Sequence, residues 1–183
     1  MAQAASPEKL AQEGKAAYQR GDFLNAAHTF EAARVAYQAA GDSLTAAEMA
    51  NNCSVAYLKA GEGASALAAV EGTAEIFAQA GDLRRQGMAL SNRAAALEAL
   101  ERYEEAIQGY QLSADILQQA GEDQLRAQTM QSLSMLQFNI GRQLQALATM
   151  QAGLEGVRRP TPKQSFLKRL LNIPIEMITR RRI

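Results

Sequence analysis

The sequence has no tryptophan, one cysteine, one histidine and no proline between Pro7 and Pro160. With Cys53 alone, an internal disulfide framework and a zinc site built on several cysteines are both excluded. With His28 alone, a His-Asp triad or a multi-histidine metal centre has no second imidazole to draw on. No stretch approaches the ~18 apolar residues of a spanning helix, and the opening MAQAASPEKL lacks the apolar core of a secretory signal. Cytoplasmic residence is the expectation. There is no glycine-rich phosphate loop and no HExxH motif. Valine is scarce as well, four residues against 37 alanines in a chain of 183. Small and straight-chain residues lose little rotamer freedom in a helix, so an all-helical chain is expected.

The formal charge is zero, from 19 basic and 19 acidic side chains. It is a cancellation between two parts. Residues 1–157 hold 11 basic and 18 acidic side chains, a net of −7, and residues 158–183 hold 8 basic and one acidic, a net of +7.

A forty-residue period runs through the first part. Ala40-Gly41-Asp42 recurs as Ala80-Gly81-Asp82 and as Ala120-Gly121-Glu122. Ala26, Ala66, Ala106 and Ala146 keep the same step, as do Phe30, Val70, Tyr110 and Met150, and a half-unit break falls at Gly21, Gly61, Glu101 and Gly141. Each unit reads as two antiparallel helices, with glycine at the left-handed position that closes a helix. Asp22, Asp42 and Asp82 follow those glycines and are expected to cap the next helix. Ser6-Pro7-Glu8 is a start signal for the first. Small residues at Gly14, Ser54, Ala94 and Ser134 mark close approach within a pair, while Phe30, Tyr37, Phe77, Tyr110, Leu117 and Met150 are expected to fill the space between pairs. A single pair cannot bury its apolar face, so stability must come from stacking.

Gly14, Gly21-Asp22-Phe23, Ala26 and Phe30, then Tyr103-Glu104-Glu105-Ala106 and Tyr110, resemble the tetratricopeptide repeat family in order and spacing, as do Tyr57, Gly61 and Ala66, and Gly141 and Ala146. The forty-residue step with its Gly-Asp ending is similar to the longer variety in Pins-type proteins and kinesin light chains. The resemblance covers residues 6–157. It implies an all-α, right-handed superhelical solenoid of four helix pairs, repeats at about 6–41, 42–81, 82–121 and 122–157, followed by a C-terminal helix within 158–183. Two departures stand out: Gly63 replaces the aromatic of Phe23 and Tyr103, and Arg93 replaces an apolar residue before Ala94. Looser packing is expected at both.

In this family the first helix of each pair lines a concave wall. The resemblance therefore implies a peptide groove made by Gln12, Lys15 and Tyr18; by Asn51, Asn52, Val55 and Leu58; by Ser91, Asn92 and Ala95; and by Gln131, Ser132, Met135 and Phe138. The column Gln12, Asn52, Asn92 and Ser132 offers donors and acceptors that can hold a peptide backbone, or can bond to the neighbouring unit instead. The apolar strip Tyr18, Val55, Leu58, Met135 and Phe138 is either core or a hydrophobic contact line, with Phe138 as its best anchor. The carboxylate clamp of some chaperone co-factors in this family is absent, because its places hold Ala11, Lys15, Val55, Met88 and Asn92.

No catalytic residues, metal ligands or cofactor site assemble in the sequence. Glu104-Glu105 and Glu122-Asp123 fall at helix starts, where negative charge suits the dipole. His28 reads as a surface residue and Cys53 as a small buried one.

Beyond Val157 alanine disappears and Pro160 and Pro162 intervene. From Lys163 to Ile173, at ~100° per residue, Phe166, Leu167, Leu170, Leu171 and Ile173 span an arc of roughly 160°, with Lys168 and Arg169 opposite. This basic amphipathic helix ends or kinks at Pro174 ahead of the Arg180-Arg181-Arg182 run, and the tail, with Lys163, Lys168, Arg169, Arg180, Arg181 and Arg182 as its binding cations, has several open roles. It can cap the last pair, lie on an anionic membrane surface, dock on another copy or hold an acidic partner. Nucleic acid is disfavoured, since the tail has one aromatic and the acidic body repels phosphate. The expected function is a non-enzymatic adaptor or scaffold that binds a partner peptide or helix in the groove, without cofactors. The alternative is a membrane-associated tethering factor that acts through its tail.

Overall fold

The computed structural model describes residues 6–171. The Ser6 hydroxyl accepts the Lys9 backbone N–H at 3.3 Å and Pro7 occupies the first position of α1, Pro7–Gln19. Proline is cheap there because its missing N–H has no partner in the first turn. Among the described residues α1 is followed by α2 (Phe23–Ala39), α3 (Ser43–Ala60), α4 (Gly63–Val70), α5 (Thr73–Gln79), α6 (Leu83–Ala99), α7 (Tyr103–Gln119), α8 (Asp123–Asn139), α9 (Gln143–Glu155) and α10 (Pro162–Leu171), with no strand. Helices that are adjacent in sequence pack together except α4 and α5, which pack instead on α3 and α6, and α3 also packs on α6 and α6 on α8.

One closing device recurs every twenty residues. The Gly21 N–H bonds the Tyr18 carbonyl and the Asp22 N–H bonds that of Ala17, the paired bonds of a Schellman ending. The same longer bond joins Asp42 to Tyr37, Glu62 to Tyr57, Asp82 to Phe77, Arg102 to Leu97, Glu122 to Leu117 and Arg142 to Gln137. Each ending needs a left-handed residue, and glycine supplies it at φ between 71° and 83° except at Glu101, with φ 59°. For an L side chain that conformation costs about 1–2 kcal/mol, partly offset because glycine is freer when unfolded. Glu101→Gly is therefore expected to stabilise by about 0.5–1 kcal/mol, raising the thermal midpoint by roughly 1–4 °C in circular dichroism. A lower midpoint would contradict the strain at Glu101.

The aspartates after the glycines behave unequally. Asp42 accepts the Thr45 N–H at 3.0 Å and Asp82 the Arg85 N–H at 2.8 Å; the Thr45 side chain together with its N–H holds the Asp42 carboxyl below its ordinary range, and the Arg85 N–H does the same for Asp82. Asp22 instead accepts from the Asn25 side chain at 3.1 Å and makes no backbone cap.

The small-residue columns sit where helices close. Ala26, Ala66, Ala106 and Ala146 are buried, and a Cβ at Gly14 would lie 2.9 Å from the Phe30 ring. The Ser134 hydroxyl donates to the Ala146 carbonyl at 2.7 Å, tying α8 to α9. Phe30, Phe77, Tyr110 and Leu117 are buried, whereas Tyr37 and Met150 are only half-buried. Looser packing at Gly63 is not what occurs. Gly63 is buried, and a Cβ there would stand 3.1 Å from that of Ala99, so the missing side chain lets α4 approach the end of α6. Arg93 is half-buried and faces Glu71 at 3.7 Å.

The second unit departs from two helices per unit. Its second helix is divided at Glu71-Gly72, with Gly72 at φ 75° and the Thr73 hydroxyl donating to the Val70 carbonyl at 2.8 Å. The matching positions Ala32 and Leu112 lie inside unbroken helices, because a Cβ makes the left-handed turn costly.

Candidate functional site

Asn51 on α3 and Asn92 on α6 meet at 3.1 Å, the Asn92 amide donating to the Asn51 carbonyl oxygen. Thr129 on α8 lies 3.5 Å from Ser91 on α6, and the Gln164 amide on α10 donates to that of Gln124 on α8 at 3.1 Å. The partners are 38 to 41 positions apart, so the first helices of successive units lie side by side in the forty-residue register.

A furrow follows these helices as three depressions with shared walls. The first, about 500 Å³, is lined by Gln12, Lys15, Tyr18, Glu48, Asn52 and Val55 among others. The second, about 480 Å³, shares Glu48 and Asn52 with it and adds Asn51, Arg84, Arg85 and Met88. The third, about 250 Å³, shares Met88 and is lined by Ser91, Asn92, Gln128, Thr129 and Ser132. All four members of the amide column, Gln12, Asn52, Asn92 and Ser132, border this furrow. They do not share one state. Gln12 and Ser132 are exposed and Asn52 is half-buried, while Asn51 is buried and, with Asn92, bonded between units.

Leu58, Ala95, Gln131, Met135 and Phe138 line none of the three depressions. Helical phase explains two of them. Leu58 lies seven residues after Asn51, and Phe138 fourteen after Gln124, so each is on the flank turned to the next unit's first helix. Leu58 is half-buried and Ala95 likewise. Phe138 is 59 % exposed and Met135 54 %, and Gln131 is exposed.

The arginines of the furrow escape the sequence reading. Arg85 bonds Asp82 at 2.6 Å, reaches Glu48 at 3.2 Å and lies over the Phe77 ring at 5.3 Å, and Arg84 pairs with Glu122 at 3.2 Å. The bond to Asp82 holds the Arg85 guanidinium above its ordinary value. The available signal is Arg84-Arg85 standing where the other units carry Leu44-Thr45 and Gln124-Leu125. These charges satisfy one another inside the chain, leaving Lys15 as a furrow cation beside amides, hydroxyls, Tyr18, Val55 and Met88.

Several other titratable groups have partners within the protein. Burial pushes the Cys53 thiol up to about 12, and it donates to the Ala27 carbonyl at 3.3 Å, so it stays an inert thiol. The Tyr110 hydroxyl donates to Glu98 at 2.9 Å, with burial raising its pKa. His28 is exposed, edge-on to Tyr57 at 6.2 Å between centroids. Glu104 pairs with Arg142, Glu105 with Arg102 at 2.7 Å, and Asp123 with Arg158 at 2.6 Å. Among the described residues no three His, Cys, Asp or Glu side chains gather as metal ligands. Another depression, about 530 Å³, lies elsewhere, between α2 and α4–α5 over the α3 stripe Ala46, Ala50, Cys53 and Tyr57. It lies next to the helix break at Gly72.

At the C-terminal end the Thr161 hydroxyl accepts the Gln164 N–H at 3.3 Å while the Gln164 side chain accepts the Thr161 N–H at 2.8 Å. This capping box, with Pro162 at the first position, starts α10. Lys163 and Arg169 are exposed and Lys168 half-buried, and Arg180, Arg181 and Arg182 lie outside the described residues. No helix among the described residues is long and apolar enough to cross a membrane. No protein-family model matches the chain, and no curated protein matches it significantly.

Proposed function

We propose that the chain is a non-enzymatic adaptor, a tetratricopeptide-like right-handed solenoid whose first-helix furrow holds a partner peptide in extended or helical form. The observation that carries the reading is the run of three depressions with shared walls and all four column residues on their borders. A side-chain amide both donates and accepts, so it can follow a peptide backbone without reading its side chains. The forty-residue register of the interhelical bonds supports the repeat assignment. A cytoplasmic location accords with this role.

Because Arg85, Asp82 and Glu48 are already paired, binding is expected to depend mainly on amide and Met88 contacts, with salt acting only through Lys15 at one end of the furrow. The experiment is selection from a random peptide library followed by titration. Asn52→Arg combined with Met88→Arg obstructs the places where the depressions join, and should weaken a selected peptide at least tenfold, equivalent to about 1.4 kcal/mol. The thermal midpoint of the variant serves as the check on folding. Peptides that bind the folded double variant as well as the original would overturn the furrow assignment.

A further inference from the structure

The apolar arc of α10 is only partly used by the rest of the protein. α10 packs on α9, yet none of its residues is buried. Leu167 and Leu171 are half-buried, whereas Phe166 is 68 % exposed and Leu170 51 %. At ~100° per residue Phe166 and Leu170 stand about 40° apart, with Lys163 about 20° beyond Leu170 and Arg169 about 60° before Phe166. All four are exposed. The outer face is therefore an apolar ridge with a cation along each edge. Arg158 and Arg159 precede it, and no acidic residue occurs between Glu155 and Glu176.

We infer that this face of α10 is a docking surface for an anionic lipid bilayer. An apolar ridge edged by basic residues suits a helix lying in the interface plane, where the rings and branched chains enter the acyl boundary and the cations stay at the headgroups. The charge is of the right sign. The 158–183 segment carries a net +7 while residues 1–157 carry −7, so the surface attracts the C-terminal end and repels the body, which orients the protein. Arg158 is engaged by Asp123, leaving Lys163 and Arg169 at the edges of the ridge and Arg159 exposed ahead of the helix. Each cation held near such a surface contributes about a fivefold gain in partitioning. The capping box of Thr161 and Gln164 and the Gln164–Gln124 bond fix the start of the helix against the array, so the ridge is presented rather than formed on contact. The inference does not depend on the furrow.

The test is sedimentation of the full chain with vesicles of equimolar phosphatidylserine and phosphatidylcholine, compared with phosphatidylcholine alone. The expected result is binding to the anionic vesicles only, reduced when salt shortens the Debye length to about 3 Å. Phe166→Ser with Leu170→Ser should reduce partitioning at least tenfold, and Lys163→Glu with Arg169→Glu at least as much. Both pairs are exposed, so thermal midpoints should hold, and if one variant unfolds the other decides. Absence of binding to anionic vesicles overturns the inference. So does binding that persists in both folded variants, which would place the lipid contact elsewhere in the chain. Self-association lost with Phe166 and Leu170 but without vesicle binding would assign the ridge to a second copy instead.

Discussion

Replacing Phe77 with alanine is expected to destabilise the protein by about 3–5 kcal/mol. Phe77 is fully buried on the seven-residue α5, in a cluster with Ala47, Ala74, Ala89 and Leu90, with Ile76 and Ile116 at its edge. Three of those four buried neighbours are alanines, whose side chains are too short to move into the space left by a ring. The cavity would remain open, which places the cost towards the upper end of the range. The substitution also removes the ring beneath the Arg85 guanidinium. With a midpoint change of about 2–4 °C per kcal/mol in a chain of this size, the expected fall is roughly 6–20 °C. Phe77→Leu, which keeps most of the volume, should cost less than about 1.5 kcal/mol. Equal losses for the two variants would show that the ring's volume is not what matters.

Gly87→Ala presents the opposite problem, too much material in a closed space. Alanine in mid-helix ordinarily gains about 1 kcal/mol over glycine. Here the new Cβ would lie 2.6 Å from Leu117 Cγ and 2.7 Å from Cδ2. Leu117 is buried and cannot swing outward, and the Ser113 hydroxyl bonds the Gly87 carbonyl at 2.7 Å, which holds the backbones together. Overpacking of about 1–3 kcal/mol is therefore expected to exceed the propensity gain. A double-mutant cycle in urea separates the terms. Leu117→Ala alone should cost about 2–5 kcal/mol, and adding Gly87→Ala to it should cost nothing or restore stability, for a coupling above about 1 kcal/mol. Strict additivity would mean that α6 and α7 simply move apart.

What the sequence discloses and what it conceals divide along a physical line. Helix endings are local, so Gly21, Gly41, Gly61, Gly81, Gly121 and Gly141 could be placed from spacing alone. The helical class could be read as well, since it follows from composition. Gly72 gives no such signal, because a lone glycine inside an alanine-rich helix is ordinarily tolerated and only the neighbouring helices decide whether it turns. The furrow was legible as a column but not as a surface. Whether Asn51 and Asn92 face a ligand or each other depends on the separation of α3 and α6. Arg84 and Arg85 were missed because their partners Glu48 and Glu122 come from adjoining units.

The bonds and ion pairs that cross between units join residues 22 to 41 positions apart, from Glu71–Arg93 to Asn51–Asn92. Closing loops of that size costs an entropy that grows only with the logarithm of their length. Because each tie reaches no farther than the adjoining unit, the arrangement has the logic of a chain of links. Duplication or loss of a forty-residue segment would alter how long the array is while leaving the geometry of every remaining link intact, so the gene can lengthen or shorten the protein without having to invent a new core.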